Sequence, residues 1–150
     1  MCIRDSPYCI RGSDTLKQVM DKYGDKVSVV YRHFPLSFHT EAHKGAQASE
    51  CANEQGKFWE YHDKLFANQR AMFDEDLRRY AGEVGLDQAK FDECLASEKY
   101  KAKVDKDLED GAAAGMSGTP GFFVNGRFVN GAQPLEVFSQ IIDAELAKKG

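Results

Sequence analysis

Hydrophobic residues recur at helical spacing over residues 9–23. Ile10, Leu16, Val19 and Met20 lie roughly on one stripe of a helix with 3.6 residues per turn. Gly24 follows them, and glycine readily adopts the left-handed conformation that often ends a helix. The sequence therefore predicts a first helix over residues 9–23.

The next segment, residues 26–34, alternates between apolar and other positions. Val27, Val29 and Tyr31 would share one face of an extended chain, and Pro35 ends the run. β-branched and aromatic residues at a period of two are typical of a strand. We therefore expect a β-strand here, the strongest in the first half of the chain.

Residues 40–114 show helical spacing and contain no comparable β-rich run. The spacing predicts helices over residues 41–55, 57–69, 74–83, 87–97 and 99–114. No period repeats among them, so the block is a helical insertion and not a solenoid. Charged residues crowd the stretch from Lys99 to Asp110, which indicates a solvated helix face.

The last third changes to two short β-rich runs around a two-residue loop. Residues 122–124 and 127–129 flank Asn125-Gly126, and both loop positions suit the positive φ that a tight hairpin needs. Pro134 then opens an amphipathic stretch that predicts a final helix. The order of elements is helix, strand, helical block, hairpin and helix.

Length and charge exclude several classes of protein. The chain has 150 residues, which suits one domain, and 42% of them are hydrophobic, so a packed core is expected. Lysine and arginine total 20 against 24 acidic residues, so the chain lacks the basic surface of a nucleic-acid-binding protein. No apolar run approaches the length of a membrane span, and the first residues lack the apolar core of a signal peptide. Four cysteines are too few for a disulfide scaffold but enough for redox chemistry.

Four segments together resemble the DsbA-like thiol–disulfide oxidoreductases of the thioredoxin superfamily. They are Pro-Tyr-Cys at 7–9, Tyr-Arg-His-Phe-Pro-Leu at 31–36, the aromatic-rich segment 54–66, and Gly-Thr-Pro-Gly-Phe-Phe-Val-Asn-Gly at 118–126. Their order and spacing carry the resemblance over about residues 7–147. It implies an α/β fold of the thioredoxin type with an inserted helical domain.

The resemblance also implies a domain division and a missing element. Residues 7–35 and 116–150 would form the thioredoxin-like domain, and residues 36–115 the inserted helical subdomain. The family has a β-strand ahead of its first helix, whereas residues 1–6 show neither a strand nor a helix pattern. We therefore expect the first strand to be missing and residues 1–6 to be a non-native or irregular arm.

The family's redox motif is Cys-Pro-X-Cys at the start of the first helix. The helix dipole and the free N–H groups there favour a thiolate on the first cysteine, and the second cysteine resolves the mixed disulfide. Here the four positions hold Ser6, Pro7, Tyr8 and Cys9. Cys9 matches the resolving cysteine, Pro7 and Tyr8 would tune the thiolate, and Ser6 stands where the attacking cysteine is expected. Because a serine hydroxyl forms no disulfide, we expect this chain to be inactive in a dithiol cycle.

Three interpretations of Ser6 remain open. Residues 1–6 are non-native and have replaced the cysteine of an ordinary oxidoreductase, or Ser6 is native and the protein is a redox-inactive or trapping variant. In the third, Ser6-Pro7-Tyr8 resembles the site at which kappa-class glutathione transferases and related isomerases hold the glutathione thiolate. Cys2, seven residues before Cys9, resembles no redox partner.

Thr119-Pro120, preceded by Gly118, resembles the family's cis-proline loop. In that fold the loop faces the redox motif. A cis bond presents the backbone of the preceding residue, here Thr119, for strand-like pairing with a bound peptide. The resemblance therefore assigns Gly118, Thr119 and Pro120 to substrate binding.

Two further pairs of residues have candidate roles. Cys51 and Cys94 lie on apolar faces of two predicted helices, as two buried thiols or as a structural disulfide, and the sequence does not give the Cα separation that decides between them. His39 and His43 are four residues apart, but their neighbours favour solvated or capping histidines over a metal site.

The intact protein to which this chain belongs is called the parent protein below. It is expected to be an extracytoplasmic bacterial oxidoreductase, periplasmic or secreted, that acts on protein cysteines. Its expected partners are cysteine-containing protein substrates and a redox partner protein, which can be membrane-bound. We expect no nucleic acid, metal or organic cofactor. The alternatives are a glutathione-dependent transferase or isomerase that uses Ser6, and a redox-inactive peptide-binding module.

Overall fold

The computed structural model describes residues 7–36 and 40–148, without the side chain of Thr40. Ser6, Cys2 and His39 therefore lie outside the described residues. The described chain forms seven α-helices, one turn of 3₁₀ helix at Gly24–Lys26, and a two-stranded sheet. The helices are α1 (Pro7–Tyr23), α2 (Thr40–Asn53), α3 (Phe58–Ala67), α4 (Asp74–Glu83), α5 (Gln88–Ala96), α6 (Lys101–Ala113) and α7 (Leu135–Ala147), and the strands are β1 (Gly121–Val124) and β2 (Arg127–Asn130).

The helices follow the predicted spacing, with ends that differ by a few residues. The five helices expected between residues 40 and 114 are all present, and α7 begins directly after Pro134. No helix within the described ranges is long and apolar enough to cross a bilayer.

The strand predicted over residues 26–34 is wrong. Residues 27–36 are assigned no regular secondary structure, although burial still alternates, with Val27, Val29 and Tyr31 partly buried and Val30 exposed. A strand exists only through hydrogen bonds to a neighbouring strand, and the sheet of the described chain pairs β1 with β2 alone. The alternating pattern marks a segment suited to a sheet, but no described segment pairs with it.

The predicted hairpin is confirmed, including its loop. β1 and β2 pair antiparallel, with Phe122 opposite Val129 and Val124 opposite Arg127. Asn125 and Gly126, the two loop residues, have φ values of 47° and 84°. The loop chemistry therefore fixes the register, which turns Phe122 and Val129 to one face of the sheet.

The described chain divides into two compact units. The hairpin unit comprises residues 7–31 and 116–148, and the helical unit comprises residues 32–36 and 40–115.

The core of the hairpin unit lies between the inner face of the sheet and two helices. Its fully buried members come from α1, β2 and α7, and are Val19, Tyr23, Val129, Phe138 and Ile142. The Phe122 ring packs edge-on against Phe138, with ring centroids 4.9 Å apart. The Tyr23 hydroxyl also donates to Asp143 at 2.8 Å, which ties α1 to α7.

The helical unit packs around the alanine-rich helix α2. Ala42, Ala46 and Ala52 are fully buried, and their small side chains let neighbouring helices approach closely. The Tyr61 hydroxyl donates to the Leu77 carbonyl at 2.9 Å, so this large aromatic is buried without an unsatisfied polar group.

A disulfide joins α2 to α5 within the helical unit. Cys51 and Cys94 are bonded, with their Cα atoms 5.9 Å apart, and both cysteines are buried. This separation is ordinary for a disulfide. The bridge closes a loop between positions 43 residues apart.

A partly buried ionic network holds the first residues of the helical unit. The His33 ring nitrogen Nε2 lies 2.8 Å from Glu50, and Lys103 donates to Glu50 at 2.8 Å and to Asp107 at 3.1 Å. Asp107 also accepts from the Arg32 guanidinium at 2.7 Å and from the His33 backbone N–H at 3.2 Å. The expectation of a solvated face between Lys99 and Asp110 is therefore wrong at Asp107, which is only 3% exposed. Two of its partners, Arg32 and His33, come from a distant part of the sequence.

Replacing both Cys51 and Cys94 with alanine should lower the free energy of unfolding by about 4 kcal/mol, the chain-entropy value for a loop of this length. Urea titration would measure it. As a control, a reductant should bring the oxidised chain to the stability of the double variant and leave the variant unchanged. A double variant as stable as the oxidised chain would contradict the prediction.

Acidification should destabilise the protein through His33 and Glu50. Burial lowers the pKa of His33 below its usual 6.5, so below that pH the unfolded chain binds a proton that the folded chain does not, and stability falls. Burial alone would raise the pKa of Glu50, but hydrogen bonds from His33 and Lys103 outweigh it and lower the pKa to about 2. The contribution of ionised Glu50 to the free energy of unfolding is therefore complete above pH 4.5 and is lost as the pH falls towards 2.

Urea titrations between pH 7.5 and 5 should isolate the histidine effect. His33→Gln keeps a donor for Glu50 but does not titrate, so it should remove a slope of up to about 1.4 kcal/mol per pH unit. An unchanged slope in His33→Gln would show that another group is responsible.

Candidate functional site

The first turn of α1 carries the cysteine that the sequence singles out. Pro7 is the first residue of the helix, where its missing N–H and fixed φ fit best, and Cys9 is the third. The N–H groups of a first helical turn have no partner within the helix and favour a negative charge. A sulfur in this turn is therefore in the part of a helix that stabilises a thiolate.

Cys9 is buried while its neighbours are exposed. The residue is 4% exposed. Tyr8 is 58% exposed, and the Arg11 guanidinium lies over its ring at 4.8 Å. The turn thus presents an aromatic and a cationic side chain to solvent and keeps its sulfur inside.

The Cys9 thiol points at the loop that precedes β1. Its sulfur lies 3.7 Å from the Thr119 hydroxyl oxygen, as a donor to it, and the Thr119–Pro120 peptide bond is cis. The Pro120 carbonyl accepts a hydrogen bond from the Gly131 N–H at 3.0 Å, which fastens the loop to the end of β2. The candidate site is therefore the contact between the first turn of α1 and this cis-proline loop, residues 118–120.

The residues predicted from the sequence fall into four groups. Cys9 and Thr119 are in direct contact, with Pro120 beside them. Pro7 and Tyr8 are exposed on the same helical turn as Cys9. Gly118 likewise borders open space, since a Cβ built there would meet no other atom. Cys51 and Cys94 belong to the helical unit. Ser6 and His39 lie outside the described residues, and their predicted roles stay predictions.

The described residues contain no group of three or more histidine, cysteine or acidic side chains that could hold a metal ion. His43 is engaged by Asp105 at 2.7 Å and by Gln47 at 3.1 Å. These contacts agree with a histidine in surface hydrogen bonding.

One residue of the site was missed by the sequence patterns. Gly12 is buried on α1, and a Cβ there would meet the ring of Pro120. Glycine within a predicted helix carries no local signal beyond a weak helix propensity, so only the fold shows what it faces.

Comparison with protein families gives one match across nearly the whole chain. The family model described as thioredoxin matches residues 5–144. Curated relatives include the Na(+)/H(+) antiporter NhaA 3 of Salinispora tropica, 37% identical over 144 residues, which span 95% of this chain and 22% of the relative. The antiporter NhaA 1 of Mycolicibacterium vanbaalenii is 39% identical over 125 residues, 81% of this chain and 20% of the relative. The chain thus spans about a fifth of the length of these relatives.

Solved structures with the same fold are thiol-exchange and thioredoxin-like proteins. The thiol-disulfide exchange protein alpha-DsbA2 of Wolbachia pipientis superposes with a TM-score of 0.82 at 17% identity, covering 93% of this chain and 76% of that one. A thioredoxin-like oxidoreductase of Silicibacter pomeroyi has a TM-score of 0.80 at 25% identity, with 97% and 82% coverage. The thioredoxin-like fold is confirmed, and the second likeness supports an oxidoreductase family.

Replacing Thr119 with valine should shift the pH profile of Cys9 alkylation. Valine keeps the branched shape but cannot donate a hydrogen bond to a cysteine thiolate, so the midpoint of the profile should rise by about one pH unit. Iodoacetamide labelling followed by peptide-resolved mass spectrometry would separate Cys9 from Cys2.

Thr15→Val is the matched control for this measurement. Thr15 also lies on α1, but its hydroxyl donates to the Gln133 carbonyl at 3.3 Å, so the midpoint should stay in place. If Thr119→Val behaves like Thr15→Val, the hydroxyl does not act on the sulfur.

Proposed function

The chain belongs to the thioredoxin family, and on that premise we propose that its parent protein catalyses thiol–disulfide exchange on cysteines of other proteins, in the manner of DsbA-like enzymes. The observation that carries the proposal is the Cys9 sulfur in the first turn of α1, 3.7 Å from the Thr119 hydroxyl of a cis-proline loop. A helix start that favours thiolate and a loop that can pair with an extended peptide are the two parts such a reaction needs.

The proposed reaction needs two sulfurs, at positions 6 and 9. A thiolate at position 6 attacks a substrate disulfide, forms a mixed disulfide and releases one substrate thiolate. The Cys9 thiolate then attacks the sulfur at position 6, the mixed disulfide breaks, and the second substrate thiolate leaves. The substrate thereby gains two electrons. The same steps in reverse oxidise a substrate dithiol.

In this chain Ser6 interrupts that cycle at its first step. A hydroxyl oxygen cannot take part in a disulfide bond. Cys9 by itself can therefore form at most a mixed disulfide with a substrate or a small thiol. In the proposed assignment Pro7 and Tyr8 lie between the two reacting positions, 6 and 9. Gly118, Thr119 and Pro120 bind the substrate chain. On this proposal the chain with Ser6 is inactive as a dithiol catalyst, and the active protein requires a cysteine at position 6.

We propose an extracytoplasmic site of action, with cysteine-containing protein substrates and a redox partner protein. The chemistry supports this location, because protein disulfides persist in oxidising compartments, and the helical unit itself carries one at Cys51–Cys94. The antiporter relatives favour one arrangement of the parent, in which this domain is joined to a membrane ion transporter. The reading frame of the parent gene would show or refute that arrangement.

The proposal predicts a gain of activity in Ser6→Cys. The variant should reduce insulin at the expense of dithiothreitol well above the rate of the printed chain, because it restores the two-sulfur cycle. Ser6→Cys combined with Cys9→Ala is the matched control, since it has the attacking sulfur without the resolving one. It should accumulate mixed disulfide and turn over slowly.

Three other results would contradict the proposal or favour another function. Ser6→Cys that forms the 6–9 disulfide by mass spectrometry but exchanges no faster than the printed chain would rule out the oxidoreductase proposal. Glutathione binding by the printed chain, lost in Ser6→Ala, would favour the glutathione-dependent alternative. Binding of unfolded peptides without either activity would leave the peptide-binding module.

A further inference from the structure

Gly12 occupies a position where a helix gains nothing from glycine. It lies inside α1, which spans Pro7–Tyr23, and it is buried. Glycine weakens a helix interior relative to alanine because it loses more backbone freedom on folding. The glycine therefore indicates a constraint on space at this position.

The neighbours of Gly12 leave no room for a side chain. A Cβ there would lie 3.0 Å from Cγ and 3.3 Å from Cβ of Pro120, and 3.2 Å from Cζ of Phe122. These separations are shorter than ordinary carbon–carbon contacts, which are optimal near 3.5–4.0 Å. Two of the three atoms belong to the rigid ring of Pro120, which cannot turn away as a flexible side chain would.

The Gly12 contact and the Cys9 contact belong to one interface. Residues three apart on a helix lie on the same face, one turn above the other. Gly12 meets Pro120 while Cys9 meets Thr119, the residue joined to it by the cis bond. The distance at which α1 packs against the loop at Gly12 therefore sets the distance from the sulfur to the hydroxyl.

We propose that Gly12 is a positioning residue for the Cys9 site, whose missing side chain lets α1 approach the cis-proline loop closely enough for the Thr119 hydroxyl to reach the Cys9 sulfur. The inference rests on the proposed function only in taking Cys9 as a reacting sulfur. The sulfur–oxygen separation of 3.7 Å is already long for a hydrogen bond. A displacement of the loop by a few tenths of an ångström, the least that an alanine requires, would weaken or break it.

The test compares Gly12→Ala with Thr119→Val in the printed chain. In each variant the rate of Cys9 alkylation by iodoacetamide is measured against pH, with the Cys51–Cys94 disulfide intact. Gly12→Ala should raise the midpoint by about half to one pH unit, in the same direction as Thr119→Val. The double variant should be shifted no further than Thr119→Val alone, because Gly12 acts through that hydroxyl.

A second helical glycine provides the matched control. Gly82 lies in α4, where a Cβ would meet only the Oε1 atom of the Gln88 side chain at 3.3 Å, the end of a flexible group. Gly82→Ala should leave the midpoint unchanged. Gly12→Ala combined with Phe122→Leu, which removes the atom facing position 12 on that side, should move the midpoint part of the way back and also serves if Gly12→Ala alone folds poorly.

Three outcomes would overturn the proposal. In the first, Gly12→Ala stays folded by circular dichroism and leaves the alkylation midpoint of Cys9 in place. In the second, the shifts of Gly12→Ala and Thr119→Val add in the double variant. In the third, Phe122→Leu does not move the midpoint of Gly12→Ala back. The measurement needs no second sulfur, so it is separate from the exchange assay. A shifted Gly12→Ala profile with an inactive Ser6→Cys would remove the function and keep the positioning role, and the opposite pattern would remove only the positioning role.

Discussion

The close approach of α1 to the loop at Thr119–Pro120 is the contact on which the rest of the hairpin unit depends. It joins residues 110 positions apart, Cys9 and Thr119, and its far side is fastened by the hydrogen bond from Gly131 to the Pro120 carbonyl. Thr15 adds a bond from the next turn of α1 to the Gln133 carbonyl. These contacts link the helix, the loop and the hairpin, so a displacement of any one of them would change the position of the Cys9 sulfur relative to Thr119.

Elements that depend on local sequence could be predicted, and those that depend on distant partners could not. The hairpin follows from Asn125-Gly126, because only a few residue types accept two consecutive positive φ values. The helices follow from apolar spacing alone. The alternation from Val27 to Tyr31 is just as clear, but a strand also requires a neighbour, and alternation contains no information about one.

The same distinction separates the parts of the site. Cys9, Thr119 and Pro120 could be proposed from the sequence, because a family resemblance carries long-range information that a single pattern lacks. The packing of Gly12 could not, since the ring it faces lies more than a hundred residues away. The prediction for Asp107 failed for a related reason. Its charge within a polar helix suggested solvent, but Arg32 and Lys103 pair with its carboxylate and the His33 backbone N–H donates to it.

Burial of Cys9 bears on its role independently of what occupies position 6. An attacking cysteine must meet a disulfide from another molecule, which requires an exposed sulfur. A resolving cysteine attacks a sulfur held beside it in the same chain, where proximity replaces exposure. A residue that is 4% exposed and in contact with Thr119 fits the second task and is poorly placed for the first. A serine site for glutathione would make no use of such a sulfur, so the buried Cys9 favours the proposed oxidoreductase over the glutathione-dependent alternative.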